Sequence, residues 1–203
     1  MLKLSLYENP VEEVITRALQ VLKKGGIVAY PTESFYGLGV TVNIEPAVKR
    51  LYLLKKRPLD KPVPVIVGNN DVLMSIVKSV PLQAEKLMDK FWPGPLTIIF
   101  DSQKNLPVML TGGREKIAVR IPGNSFALAL ARASDFPITA TSANLSGRPA
   151  AQEPEEVADY FGDDIDLIVD CGKAPGGNPS TIIDVTATPA RVLREGSVSA
   201  LLL

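Results

Sequence analysis

The stretch Asn9–Gly39, NPVEEVITRALQVLKKGGIVAYPTESFYGLG, decides what kind of fold this chain adopts. Asn9 and Pro10 followed by Glu12 and Glu13 form a helix start, with a side-chain cap, an N1 proline and first-turn acids beside the positive end of the helix dipole. Val11, Val14, Ala18 and Leu22 then recur at helical spacing, and Lys23-Lys24-Gly25-Gly26 carries the cations and glycines that end a helix. Directly afterwards, Ile27-Val28-Ala29-Tyr30 is an unbroken apolar run that predicts a buried strand, leading into the loop-like PTESFYGLG. A helix handed at once to a buried strand is the unit of a layered α/β protein.

Outward from this unit the alternation continues. Val48, Leu51 and Tyr52 face inward on a helix predicted from Glu45 to Lys56. Val63–Val67 reads as a strand that Pro62 and Pro64 confine to an edge or a strand start. Short helices are predicted at Asp71–Val77 and Pro81–Phe91, and Trp92-Pro93-Gly94-Pro95 turns into a strand at Leu96–Phe100. Further strands fit Ile117–Ile121, Ile138–Ala140, Leu167–Val169, Thr181–Val185 and Arg191–Leu193, with helices at Ser125–Ala133 and Pro154–Phe161. The βα rhythm is irregular and the punctuation heavy, with 17 Pro and 15 Gly. That predicts an α/β protein built on a mixed, twisted sheet with flanking helices, in a single domain spanning 1–203. The segment Ala174–Pro179, APGGNP, is either a mobile loop over a site or an ordinary surface turn.

Composition removes whole classes of chemistry. The 203 residues carry 22 cations and 22 acids, one cysteine (Cys171) and no histidine. Without histidine there is no Ser-His-Asp or Cys-His catalysis and no HExxH zinc site, so no metal site is expected. No Walker A sequence is present, and Gly37-Leu38-Gly39 lacks the third glycine of a dinucleotide fingerprint. No apolar run approaches the roughly 20 residues of a membrane helix, and MLKLSLYENP lacks a signal peptide's apolar core, so a cytoplasmic address is expected. Whatever chemistry occurs rests on positioning and on fixed cations and dipoles.

Those cations are clustered. Lys49–Lys61, KRLYLLKKRPLDK, holds six against one acid, while Glu153–Asp170 holds eight acids and no base. A Lys/Arg run is read either as a solvated helix face or as a phosphate site. Arg57 precedes Pro58, which disfavours helix at Arg57 and places Lys55 and Arg57 at an element end, where side chains converge on a ligand. Ile138–Gly147, ITATSANLSG, is an apolar run that breaks into small hydroxyl and amide side chains; it is either a plain strand-to-turn transition or the polar half of an oxyanion site. Arg120, flanked by Ala118, Val119 and Ile121, is costly to bury unpaired and calls for a ligand or an acidic partner.

Taken together these segments resemble the YrdC-type threonylcarbamoyl-AMP synthases. YPTESFYGLG is similar to the family's first signature and KKRP-x-x-K-P to its K-x-R-P element. FWPGPLT, IAVRIP, TSAN-x-SG, STIIDVT and VLREG follow in the family's order, so that the likeness covers about Gly25 to Gly196. It implies a YrdC-like domain around a basic concave cavity. It also implies a nucleotidyltransferase, an L-threonylcarbamoyladenylate synthase: L-threonine, bicarbonate and ATP become threonylcarbamoyl-AMP and pyrophosphate. Downstream tRNA threonylcarbamoyltransferase proteins then use the product for threonylcarbamoyladenosine at tRNA position 37. Mg²⁺ would arrive with ATP. Attacker and leaving group both belong to substrates, which suits a chain without a histidine-activated nucleophile.

By position, the resemblance assigns Lys55, Arg57, Ser142 and Asn144 to a tetrad around ATP, with Lys55 and Arg57 catalytic through charge screening. Lys61 and Arg194 are further nucleotide contacts. Thr32, Arg120 and Ser180 fall to L-threonine, with Arg120 on its carboxylate. Two positions depart from the pattern: Ile66 stands where some longer relatives have a histidine, and Ala150 where a serine is common. The rival reading is a module that binds tRNA or double-stranded RNA without turnover, against which the neutral total charge and the acidic 153–170 stretch count. The carbamoyl-adenylate domain of hydrogenase-maturation carbamoyltransferases, embedded in chains with Cys clusters, fits poorly with one cysteine.

Overall fold

In the computed structural model, which describes residues 1–203, helices and strands interleave from end to end. Their order is β1 (Leu2–Ser5), α1 (Val11–Lys23), β2 (Val28–Pro31), β3 (Tyr36–Gly39), α2 (Glu45–Leu54), β4 (Val65–Ile66), α3 (Asn70–Met74), α4 (Leu82–Phe91) and β5 (Leu96–Asp101). Then come α5 (Val108–Thr111), β6 (Lys116–Arg120), α6 (Phe126–Ala133), β7 (Ile138–Thr139), β8 (Thr141–Ser142), α7 (Pro154–Phe161), β9 (Leu167–Asp170), β10 (Thr181–Asp184) and β11 (Arg191–Arg194). The mixed α/β architecture expected from the sequence is present, its strands divided between two mixed sheets. One runs β1-β9-β2-β3-β8 and the other β11-β10-β5-β6-β4-β7.

The segment Ile138–Ser142 joins the two sheets. Ile138 and Thr139 pair antiparallel with β4, and two residues later Thr141 and Ser142 pair antiparallel with β3. Between them the Ala140 N–H bonds the Pro64 carbonyl at 2.7 Å. A strand that changes partners within five residues places the following turn at the junction of the sheets. Gly39 is needed there, because a Cβ on it would lie 2.7 Å from both the Ile138 and Tyr30 side chains.

Local signals explain the first unit. Helix α1 buries Val14, Ala18 and Leu22 and starts one residue later than expected, with Pro10 at the cap, while Asn9 donates instead to the Ser5 carbonyl. It stops in a Schellman turn: Gly25 is left-handed (φ 80°), its N–H bonds Leu22 O, and the Gly26 N–H bonds Val21 O. Helices α1 and α6 share a core of 14 residues with β2 and β9, to which Ile66 and Ile138 from the other sheet contribute. A larger core of 35 residues takes in α2, α7, β5 and β6. Along β5 and β6, Leu96, Ile98, Phe100, Ile117 and Val119 point into it, so Thr97, Ile99, Ala118 and Arg120 face the other way. Each fully buried aliphatic or Phe side chain contributes about 1.5–3 kcal/mol, so a one-residue slip that buried Arg120 in their place is strongly disfavoured.

Strand β4 is only two residues long and lies inside its sheet; Pro62 and Pro64 stand before its start, where they remove no ladder donor. No helix is long and apolar enough to cross a membrane.

Candidate active site

The face of β5, β6 and β10 turned away from the core forms one wall of a cavity of about 430 Å³, roofed by the 32–37 loop and the 140–142 segment. Of the residues expected at a site, Thr32, Arg57, Arg120, Ser142, Ser180 and Arg194 line it, and so does Ile66. Pro179 borders it as well, with the Gly176 N–H bonded to Ser34 O, so the 174–179 loop sits at the cavity's rim. The wall contains four arginines, counting Arg114, and no acid. A concave surface of this sign concentrates anions.

The backbone at the end of α2 sorts three consecutive cations. Lys55 caps the helix, Lys56 is left-handed (φ 49°), and the turn closes in a Schellman pattern, with Lys56 N–H on Leu53 O and Arg57 N–H on Tyr52 O. As a result Lys55 turns inward, Lys56 is exposed and Arg57 returns to the cavity. Arg57 is steadied by its own loop, donating Nε to Lys61 O (3.0 Å) and Nη2 to Pro62 O (2.9 Å).

Lys55 differs from the expectation that it screens phosphate. It is 1% exposed and absent from the cavity wall, and its ammonium donates to Ser142 O, Asn144 O (2.7 Å) and Asn144 Oδ1 (3.1 Å). All three protons are therefore used within the protein. Burial, and after it the Arg57 guanidinium, pull its pKa down to about 7. Asn144 is likewise a builder of the turn: Oδ1 accepts from the Ser142 hydroxyl (2.6 Å) and Nδ2 donates to Arg148 O (2.5 Å). Lys61 differs too, since its side chain is exposed and off the wall, and its carbonyl is the part that reaches the site, through Arg57. Ala150 also stands off the cavity wall.

On the opposite side, Ser180 shares a hydrogen bond with Thr97 (2.8 Å) and receives Arg194 Nη2 at Oγ (3.2 Å), while Arg194 also grips the Ser180 carbonyl (2.7 Å). Arg194 keeps an exposed face; partial desolvation of its guanidinium, and then the neighbouring Arg120 charge, lower its pKa. Two like charges held this close are relieved by an anion between or beside them. Thr32 sits in a hydroxyl-built turn, donating to Phe35 O (2.7 Å) and accepting from the Ser34 N–H (3.1 Å).

Three members of the site escaped the sequence reading. Arg114 follows a Gly112-Gly113 turn with no motif to flag it. Thr97 is one hydroxyl in an apolar strand. Glu33 pairs with Arg120 Nη1, and the demand of Arg120 for an acidic partner was the signal that could have found it.

Comparison with known proteins assigns the chain to a family. Residues 20–196 match the Sua5/YciO/YrdC family model, described as Telomere recombination. A threonylcarbamoyl-AMP synthase of Pyrococcus abyssi (strain GE5 / Orsay) is 38% identical over 195 residues, covering 96% of this chain and 57% of the relative. One from Bacillus subtilis (strain 168) is 38% identical over 186 residues, covering 91% and 54%. The chain thus spans about half the length of these curated relatives. The crystal structure of P. abyssi Sua5 complexed with L-threonine superposes with a TM-score of 0.89 at 38% identity, over 97% of this chain and 57% of that one.

Proposed function

The chain belongs to the Sua5/YciO/YrdC family, and on that premise we propose that it is an L-threonylcarbamoyladenylate synthase. It is a nucleotidyltransferase built on one YrdC-like domain, residues 1–203, that acts in the cytoplasm. One observation carries the reading: four guanidinium groups line a single cavity that has no acid, no cysteine and no histidine in its wall. Such a site supplies charge and position but no base to activate its hydroxyls as nucleophiles, as required when substrates bring both the attacking and leaving groups.

Threonine's amine condenses with bicarbonate, losing water, to give a carbamate. A carbamate oxygen forms the new bond to the α-phosphorus of ATP as the bond to the bridging oxygen breaks, and pyrophosphate leaves with the electron pair. Arg57, Arg114 and Arg194 screen the triphosphate, and Ser142, whose hydroxyl proton is held by Asn144 Oδ1, offers its oxygen as an acceptor on the nucleotide side. Lys55 and Asn144 hold the turn that presents Ser142. Lys61 acts through its carbonyl, which aims Arg57. Arg120 pairs with the threonine carboxylate, with Thr32 and Ser180 beside it. Mg²⁺ enters bound to ATP, since the wall offers it no carboxylate. The product serves the tRNA threonylcarbamoyltransferase proteins that modify tRNA position 37. A concave pocket of this volume suits small molecules and gives duplex RNA no broad basic face. Mass spectrometry after incubation with ¹³C-bicarbonate, L-threonine and ATP tests the proposal. A labelled threonylcarbamoyl-AMP supports it, and label confined to bicarbonate overturns it.

A further inference from the structure

Arg120 is held from behind. Its Nη1 donates to Glu33 Oε1, the two side chains being 12% and 20% exposed, and this is the only side-chain hydrogen bond Arg120 makes. Glu33 lies outside the cavity wall, packed where a Cβ on Gly123 would be 3.5 Å from its Cγ and 3.6 Å from its Cδ. Its second oxygen, Oε2, is buried with no partner. Nearby, Tyr30 is raised in pKa by burial foremost, while Arg120 and Glu33 act on it in opposite directions.

The consequence is geometric. An arginine offers a carboxylate its best fork along one edge, Nε with Nη2. Glu33 occupies Nη1 and leaves that edge free on a residue that lines the cavity. The pair also joins the two sheets, because Glu33 belongs to the β2–β3 connection and Arg120 ends β6. We propose that Glu33 is the positioning residue of the amino-acid subsite: it fixes the Arg120 guanidinium with its Nε–Nη2 edge presented to the substrate carboxylate, and so sets selectivity for a free α-carboxylate. This rests on the proposed function for the identity of the substrate as L-threonine. A buried carboxylate with one oxygen unpaired is costly, and that cost is consistent with a residue kept for aiming rather than for stability.

The test uses Glu33→Gln, which keeps size and one acceptor, Glu33→Asp as the conservative rescue, and Arg120→Lys to assign the arginine signal. Calorimetry with L-threonine and L-threoninamide reads selectivity, and the Arg120 Nε–Hε resonance in substrate-free protein reads guanidinium order. Glu33→Gln should weaken L-threonine by about tenfold, leave threoninamide and ATP nearly unchanged, and broaden or average the Arg120 signal. Glu33→Asp should recover part of both. An unchanged Arg120 signal, or equal losses for threonine and its amide, overturns the proposal. If the parent protein binds no L-threonine while Glu33→Gln still disorders Arg120, the functional reading falls and the positioning role stands. Tighter threonine binding in Glu33→Gln would instead make Glu33 a competitor of the substrate and overturn it.

Discussion

Replacing Lys55 with Met keeps the length of the side chain and removes the charge from the cage beneath the Ser142–Asn144 turn. Of the three oxygens that lose a donor, Ser142 O still accepts the Asn144 N–H at 3.0 Å and Asn144 Oδ1 still accepts the Ser142 hydroxyl at 2.6 Å. Asn144 O alone is left bare, at a cost of about 1–3 kcal/mol. Opposing this is the relief of burying an ammonium without a carboxylate, where each unit of pKa depression is worth about 1.4 kcal/mol. Because the depression runs from 10.5 to about 7, the relief is the larger effect, so global stability at pH 7 should not fall below the parent's and should exceed it by roughly 1–4 kcal/mol. The turn itself loses its anchor. Hydrogen exchange without substrates should then quicken about tenfold at the Ala143, Asn144, Ser146 and Arg148 amides and stay unchanged along β5. A second readout follows from linkage. The unfolded lysine keeps its proton up to 10.5 and the folded one releases it near 7, so between those values the unfolded chain binds more protons and parent stability rises with pH. Lys55→Met should lack that slope. Unchanged exchange at 143–148, with activity nevertheless lost, would refute the cage and return Lys55 to the phosphates.

Arg57→Ala should cost about 2 kcal/mol in transition-state stabilisation, read from kcat/KM, with Arg57→Lys recovering only part because the fork to Lys61 O and Pro62 O is gone. Asn144→Ala should weaken ATP and spare threonine. Thr32→Ala, which opens the 32–35 turn, should do the reverse in calorimetric titrations, and crossed results would swap the two pockets. Lys56→Gly relieves a left-handed backbone at φ 49° and should raise stability by about 1 kcal/mol in a urea melt with activity retained.

Helical spacing and apolar runs made α1, α2, α6, α7 and most interior strands legible. The strands that escaped are those whose only support is tertiary. Tyr36–Gly39 reads as a glycine-rich loop until β2 pairs with it, and Thr141–Ser142 is two polar residues that pair with β3. Leu2–Ser5 is a short edge strand with no buried side chain, and the helix Val108–Thr111, which also escaped, is a single turn. At the site, residue types were readable and directions were not. Nothing in Lys55-Lys56-Arg57 announces that a left-handed Lys56 sends the first inward and the third to the cavity. Similarly, Arg120 advertised a partner, but only the fold brings Glu33 across from the other sheet.

The central claim is that four arginines serve a reaction whose nucleophile and leaving group both come from substrates. Pyrophosphate release from ATP by the purified chain tests it most directly, measured with L-threonine, bicarbonate, both or neither. Release should require both together and fall to background when either is withheld. Equal release without threonine or without bicarbonate would contradict the account.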